Sequence, residues 1–202
     1  MAAQTIITGG LMEVIRKKYF MDTTTTASTT LVQAGWISLF AAFTAIGAQV
    51  QIPHQPIPFT LQTFFVLLSG AFLGARNGFI AQIVYIAAGA IGLPVFTGAT
   101  FGLVKLFGVT GGYLMSFPIA AVVVGYLVRL HSGYLWTLLS MVAGLVVVFT
   151  LGTLFLNFMF VHNLEQAVAS GFLIFSWWDI LKLSAAAAIY FEFSKRYRKL
   201  PA

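Results

Sequence analysis

From Leu145 to Val161 the chain reads LVVVFTLGTLFLNFMFV, a stretch that would be apolar on every side of a helix. A surface helix of a soluble fold keeps a polar face, and a membrane β-strand alternates apolar with polar residues. Neither pattern is present. Hydrocarbon offers backbone N–H and C=O groups no water, so such a run satisfies them within a helix. The remainder of the chain agrees: of 202 residues, 59% are hydrophobic and 8% charged, against about 25% charged in soluble domains. The expectation is an all-α integral membrane protein.

One crossing of a hydrocarbon core about 30 Å thick takes roughly 20 apolar residues. Breaking the apolar runs at polar, Pro and Gly punctuation gives six expected transmembrane helices, at 31–48, 59–75, 77–96, 111–130, 134–161 and 171–193. ARNG (75–78) is a tight connection, which makes a hairpin of the second and third. Residues 1–30 read as a cytoplasmic tail and linker, 31–193 as the six-helix membrane domain, and 194–202 as a basic cytoplasmic tail. Within the first segment, LMEVIRKKYF (11–20) can lie on headgroups, and TTTTASTT (23–30) is a polar linker. Its charges follow the weak apolar piece, unlike those of a secretory signal.

Lys and Arg are retained on the cytoplasmic side. Arg16, Lys17, Lys18, Arg76, Arg129, Lys195, Arg196, Arg198 and Lys199 share one side if both termini do, leaving Lys105 in a loop opposite. Both termini are therefore expected in the cytoplasm of a multi-pass cell-membrane protein. Segments 49–58, 97–110 and 162–170 then face outward.

Cysteine is absent, and His54, His131 and His162 have no ligand spacing, so no metal and no cofactor are expected. The net charge of +6 gathers at chain ends and helix termini, where membrane lipid headgroups rather than nucleic acid are the partner. No phosphate-binding G-x-x-x-x-G-K-[ST] loop, G-x-S-x-G nucleophile or H-E-x-x-H helix occurs. An enzyme is not indicated.

Three charges fall inside the apolar segments, each at a cost of about 2.5 to 3.5 kcal/mol or more. Glu192 has Lys195 and Arg196 close by and needs no function. Asp179 and Lys182, in WWDILKL (177–183), lie deeper, and i,i+3 spacing puts them on one helix face. Two readings stay open: a pair that fixes helix packing, or a carboxylate acceptor beside an ammonium donor that binds a polar ligand. Other polar groups reach the same depth. Thr60 and Gln62 open the second helix, Gln82 and Tyr85 share a face of the third, Thr110 and Tyr113 begin the fourth, and Asn157 is near the end of the fifth. Each alone fits ordinary packing; their common depth favours a site, with Phe96, Trp177 and Trp178 as apolar walls.

Pro53, Pro56 and Pro58 stiffen QIPHQPIPFTLQT (51–63) into an extended loop that reads as a cap. In GVTGGYL (108–114), Gly108, Gly111 and Gly112 precede a helix whose N-terminal N–H groups can meet a carbonyl or carboxylate. Lys105 fits either complementing an anionic ligand or a solvated place in the loop. A binding site without an energy source implies a partner that has one.

At these residues the chain resembles the biotin-specific substrate-binding subunits, the BioY family, of energy-coupling factor (ECF) transporters. The resemblance covers about 31–193 and rests on PIPFTLQTFFVLLSGAFLG (56–74), GAIGLPVFTG (89–98), GVTGGYL (108–114) and WDILK (178–182). In the third motif Val109 stands where the family usually has Pro. The resemblance implies an S component with an outward-opening pocket for biotin, lined by Asp179 and Lys182 at the ureido ring, with Tyr85, Tyr113, Gly111 and Gly112 near the ligand. It further implies a coupling membrane protein and two cytosolic ATPases that use ATP. Ala41 and Ala45 give the first helix a small face suited to close approach, either by such a partner or within the bundle. A subunit for another vitamin and a non-transport scaffold are the competing readings.

Overall fold

The computed structural model describes residues 30–54, 57–172 and 177–196, without the side chains of Trp177 and Arg196. The segment 11–20, nearly all of the Thr/Ser linker and the tail beyond 196 lie outside the described residues. Thr30–Gly35 group with the N-terminal segment, and the unit described here begins at Trp36.

Helix α1 (Thr30–Gln49) leads into two short antiparallel strands, β1 (Gln51–Ile52) and β2 (Phe59–Thr60), with Gln51 opposite Thr60 and Ile52 opposite Phe59. Then follow α2 (Gln62–Ala90), α3 (Leu103–Leu106), α4 (Gly111–Leu127), α5 (Tyr134–Leu156) with a π turn at Asn157–Val161, α6 (Leu164–Gly171) and α7 (Trp177–Arg196). The stretches Thr30–Gln49, Gln62–Ala90 and Tyr134–Val161 are each long and apolar enough to cross a membrane.

The α2 stretch is not one rod. Gly74 has φ 79° and ψ 177°, a combination essentially restricted to glycine. On a straight helix Gln62 and Tyr85 would stand about 34 Å apart, at 1.5 Å per residue. Instead their side chains are hydrogen-bonded at 2.6 Å. The chain reverses at Gly74, so the expected hairpin is present with its turn just before 75–78. Small residues let its limbs and α4 touch through backbone: a Cβ on Gly70 would lie 2.9 Å from the Ala121 Cα, and one on Gly78 2.9 Å from the Gly70 Cα.

Contacts sort the elements to two ends. At one, the Arg129 guanidinium lies against Gly74, Phe72 meets the rings of Tyr190 and Phe193, and Tyr134 meets Phe191. Lys195 and Glu192 form a 3.6 Å pair there, more than half exposed, of the kind that stabilises by at most about 1 kcal/mol. At the opposite end stand the β-hairpin, residues 91–110, α6 and the start of α7. Between them runs an apolar core through Val66, Leu67, Val124, Met141, Val148 and Ala186.

Two features go beyond the sequence reading. The segment 162–170, expected as a loop, contains α6, whose N-cap Asn163 accepts a hydrogen bond from the Gln166 N–H at 3.1 Å. The proline-rich cap begins and ends in paired strands, whose last residues carry the chain directly into α2.

Gly74 generates a stability prediction. Gly74→Ala forces a side chain into that backbone region and against Arg129, and is expected to cost about 1 to 3 kcal/mol, read as a lower melting temperature in detergent. Gly35→Ala, where an added Cβ meets nothing within 4 Å, should not lower it. Equal melting temperatures for the two variants would show that the turn tolerates a side chain.

Candidate functional site

Lys182 is 6% exposed and Asp179 2% exposed, so neither charge is hydrated, and each needs partners in the protein. The Lys182 Nζ lies 2.7 Å from Asp179 Oδ1. It also donates to the Thr60 carbonyl at 3.0 Å and to Thr63 Oγ1 at 2.9 Å. An ammonium has three donors, and all three are used. One lysine thereby ties α7 to β2 and to the first turn of α2.

Beside it lies a second polar cluster. Gln62 Oε1 accepts from Thr60 Oγ1 at 2.9 Å and from Thr97 Oγ1 at 3.0 Å, while Gln62 Nε2 donates to the Tyr85 hydroxyl. Tyr85 donates onward to the Val95 carbonyl at 3.3 Å. Its ring meets Phe96 edge-on at 5.7 Å, and Phe96 fits because Gly89 has no side chain in its way. On the far side, the Tyr113 hydroxyl donates to the Gly171 carbonyl at 3.0 Å and lies 3.2 Å from Thr153 Oγ1. This fastens the end of α6 over α4 and α5.

These clusters border one cavity, which with its open mouth encloses about 580 Å³ of non-atom space. Its polar wall consists of Thr60, Gln62, Thr63, Thr97, Thr110, Asp179 and Lys182; Ile57, Leu114, Phe117, Val148 and Phe149 make the apolar wall, with Tyr113 between. The arrangement suits a compact ligand with hydrogen-bonding groups at one end and an apolar body. Of the residues singled out in the sequence, Asp179, Lys182, Thr60, Gln62, Thr110 and Tyr113 therefore line the cavity together. Tyr85 stands directly behind Gln62, and Phe96 behind Tyr85.

The others lie off the wall. Gly111 and Gly112 are buried at the start of α4, the first under the Leu106 carbonyl and the second against Phe155; the Gly111 N–H already donates to the Gly108 carbonyl at 2.8 Å. Lys105 is half-buried on α3. Gln82 donates to Ser69 Oγ at 2.9 Å and Thr44 Oγ1 at 3.3 Å, holding α1 to both limbs of α2. Ala41 is buried and Ala45 packs against the core, which favours packing within the bundle for that small face. Thr63, Thr97 and the apolar wall were not anticipated; the position of Thr63, one residue after Gln62 on a helix entering the site, was the available signal for the first.

The BioY family model matches residues 21–199. The chain belongs to this family. It is 43% identical to the "Biotin transporter BioY" of Thermotoga maritima over 165 residues, 82% of this chain and 95% of that protein. The "Probable biotin transporter BioY" of Pyrococcus horikoshii is 39% identical over 153 residues, 76% and 90% of the two chains. Among solved structures, a 2.1 Å crystal structure of the S-component for biotin from an ECF-type ABC transporter superposes with a TM-score of 0.77 over 83% of this chain and 93% of that one, at 24% identity. That superposition shows the fold alone: a mainly helical bundle similar to the one in that structure.

Removal of one member of the buried pair gives the next prediction. Lys182→Met leaves the Asp179 carboxylate buried without its cation, at an expected cost of about 3 to 5 kcal/mol. Adding Asp179→Asn removes that charge and should restore much of the loss. Melting curves of the single and double variants check this; a double variant no more stable than Lys182→Met alone contradicts it.

Proposed function

We propose that this chain captures biotin from outside the cell, as the substrate-specific subunit of an ATP-driven ECF transporter. The observation that carries the reading is the buried Asp179–Lys182 pair in the polar wall of a cavity whose other wall is apolar. Biotin's ureido ring presents N–H donors and a carbonyl acceptor, and its thiolane ring and the methylenes of its chain are apolar. Asp179 accepts from the ureido N–H groups, and Lys182 donates to the ureido carbonyl in exchange for Thr60 or Thr63. The apolar body rests on Phe117, Val148 and Phe149. Tyr85, Phe96, Gly111 and Gly112 hold the wall from behind, and Lys105 adds a positive charge that complements the valerate carboxylate. The names of the Thermotoga and Pyrococcus relatives support the choice of ligand.

Six crossings with both termini in the cytoplasm complete the reading. The nine-to-one bias of Lys and Arg supports it, and so does the gathering of Arg129 and Lys195 at the end of the bundle away from the cavity. The cavity then opens outward. Translocation draws on a coupling membrane protein and cytosolic ATPases, and this chain itself hydrolyses no ATP.

Calorimetric titration tests the ligand assignment. Biotin is expected to bind the wild type, while a folded Asp179→Asn/Lys182→Met variant should lose affinity, because ligand N–H and carbonyl groups would be buried without partners at about 1 to 3 kcal/mol each. Wild-type affinity in that variant would make the pair a packing feature. In intact cells, His54→Cys should react with an impermeant thiol reagent and Tyr197→Cys should not, and biotin uptake should cease when the ATPases are deleted. Reversed labelling would move the cavity to the cytoplasmic side, and uptake undiminished without the ATPases would make the protein a solitary carrier.

A further inference from the structure

The connection between α2 and α4 belongs to the cavity end of the bundle, where a loop facing water should be polar. It is the opposite. From Ile91 to Phe107 the only charged residue is Lys105, and large apolar side chains point away from the protein. Val104 is 88% exposed, Ile91 82% and Phe107 64%, with Phe101 and Leu103 each at 59%. Leu106, on the inner side of α3, is buried. The short helix thus has an apolar underside that packs on the bundle and an apolar outer side that packs on none of the described residues.

These side chains cannot retreat inward, because the segment is tied down along its length. The Phe96 N–H donates to the Thr100 carbonyl at 3.0 Å, and the Gly102 N–H to the Gly89 carbonyl at 2.8 Å. Gln49, at the end of α1, clamps it from both sides: Nε2 donates to the Phe96 carbonyl at 3.1 Å, and Oε1 accepts from the Ala99 N–H at 2.9 Å. Thr97 bonds to Gln62. A rigid backbone therefore holds an apolar fin outward, and the fin starts where α2 ends and stops where α4 begins. Its surface continues the apolar outer faces of those helices, represented by Val84 and Ile83 on α2 and Met115 and Ile119 on α4, all exposed.

We propose that residues 91–107 form a lipid-inserted fin, with Val104 and Phe107 immersed in acyl chains of the leaflet at the cavity end. Acyl chains are the occupant that matches, since the surface is apolar, nearly uncharged and continuous with helix faces that meet lipid. The same fin carries Thr97 into the cavity wall, so the bilayer bears on one side of the segment and the ligand site on the other. This rests on the membrane reading above and is independent of the identity of the ligand.

The chain has no cysteine, so a single introduced cysteine can carry a spin label in the full-length protein. Val104→Cys and Phe107→Cys, labelled and reconstituted into phosphatidylcholine vesicles, are compared with Gln51→Cys on the exposed β-hairpin and Ile119→Cys on α4. Oxygen concentrates among acyl chains, while a nickel chelate stays in water. At 104 and 107 the label should collide with oxygen more than with nickel, as at 119, and the reverse should hold at 51. Nickel collisions at 104 and 107 as frequent as at 51 overturn the proposal. Shielding of both sites from both reagents overturns it too, by marking a protein contact instead. If the label at 119 is also nickel-accessible, the membrane reading itself falls; biotin titration of the same labelled proteins reports on the ligand assignment separately.

Discussion

A lysine ammonium placed in a nearly dry interior has three N–H groups that must all find acceptors, and the architecture of the cavity end follows from how Lys182 finds them. Its acceptors come from Asp179 on its own helix, from the backbone of β2 and from the first turn of α2. Neither β2 nor α2 is adjacent to α7 in sequence. The pair thus fixes where the last helix stands relative to the hairpin that starts the first α-helical reversal, and the space left between them is the cavity. Replacing a buried ion pair by apolar residues of similar volume is often neutral for stability. Here a carbonyl and a hydroxyl depend on the same ammonium, so the charge is built into a larger set of contacts.

A second set, around Gln62, does the same for the 91–110 segment. Because Gln62 accepts from the Thr97 hydroxyl on the loop after α2 and donates to Tyr85 on the second limb of α2, its side chain joins three pieces of chain from different parts of the sequence. Tyr113 plays the corresponding role for α6. Lys182, Gln62 and Tyr113 each engage more than one element, as expected where unsatisfied groups are costly and water is scarce.

Most of the helices and the Asp179–Lys182 pair were legible in the sequence because membrane residence makes length and stray charge conspicuous. The apolar wall was not, and the reason is physical. In α5, Met141, Leu145 and Val148 are buried while Leu139, Val146 and Leu154 are exposed, yet both faces are apolar, so periodicity carries no mark of which side meets the cavity. Thr63 escaped notice because its acceptor role depends on Lys182, 119 residues away. The α6 helix did leave a local trace: Asn163 followed three residues later by Gln166 is a capping pattern. Lys105, Gly111 and Gly112 were singled out by residue type, and none of the three is on the cavity wall.

The reversal at Gly74 settles a question of parity. Judged by length and composition, Gln62–Ala90 is a single passage from one end of the molecule to the other; judged by geometry, it departs from and returns to the same end. The difference is one passage, and it changes odd to even for everything downstream. Had the chain run straight, Thr97 would have emerged far from Gln62, and α4 would have begun at the opposite end from the β-hairpin. One residue's φ and ψ therefore decide the sidedness of every later loop, which makes Gly74 a determinant of topology in the strict sense as well as a site of close packing.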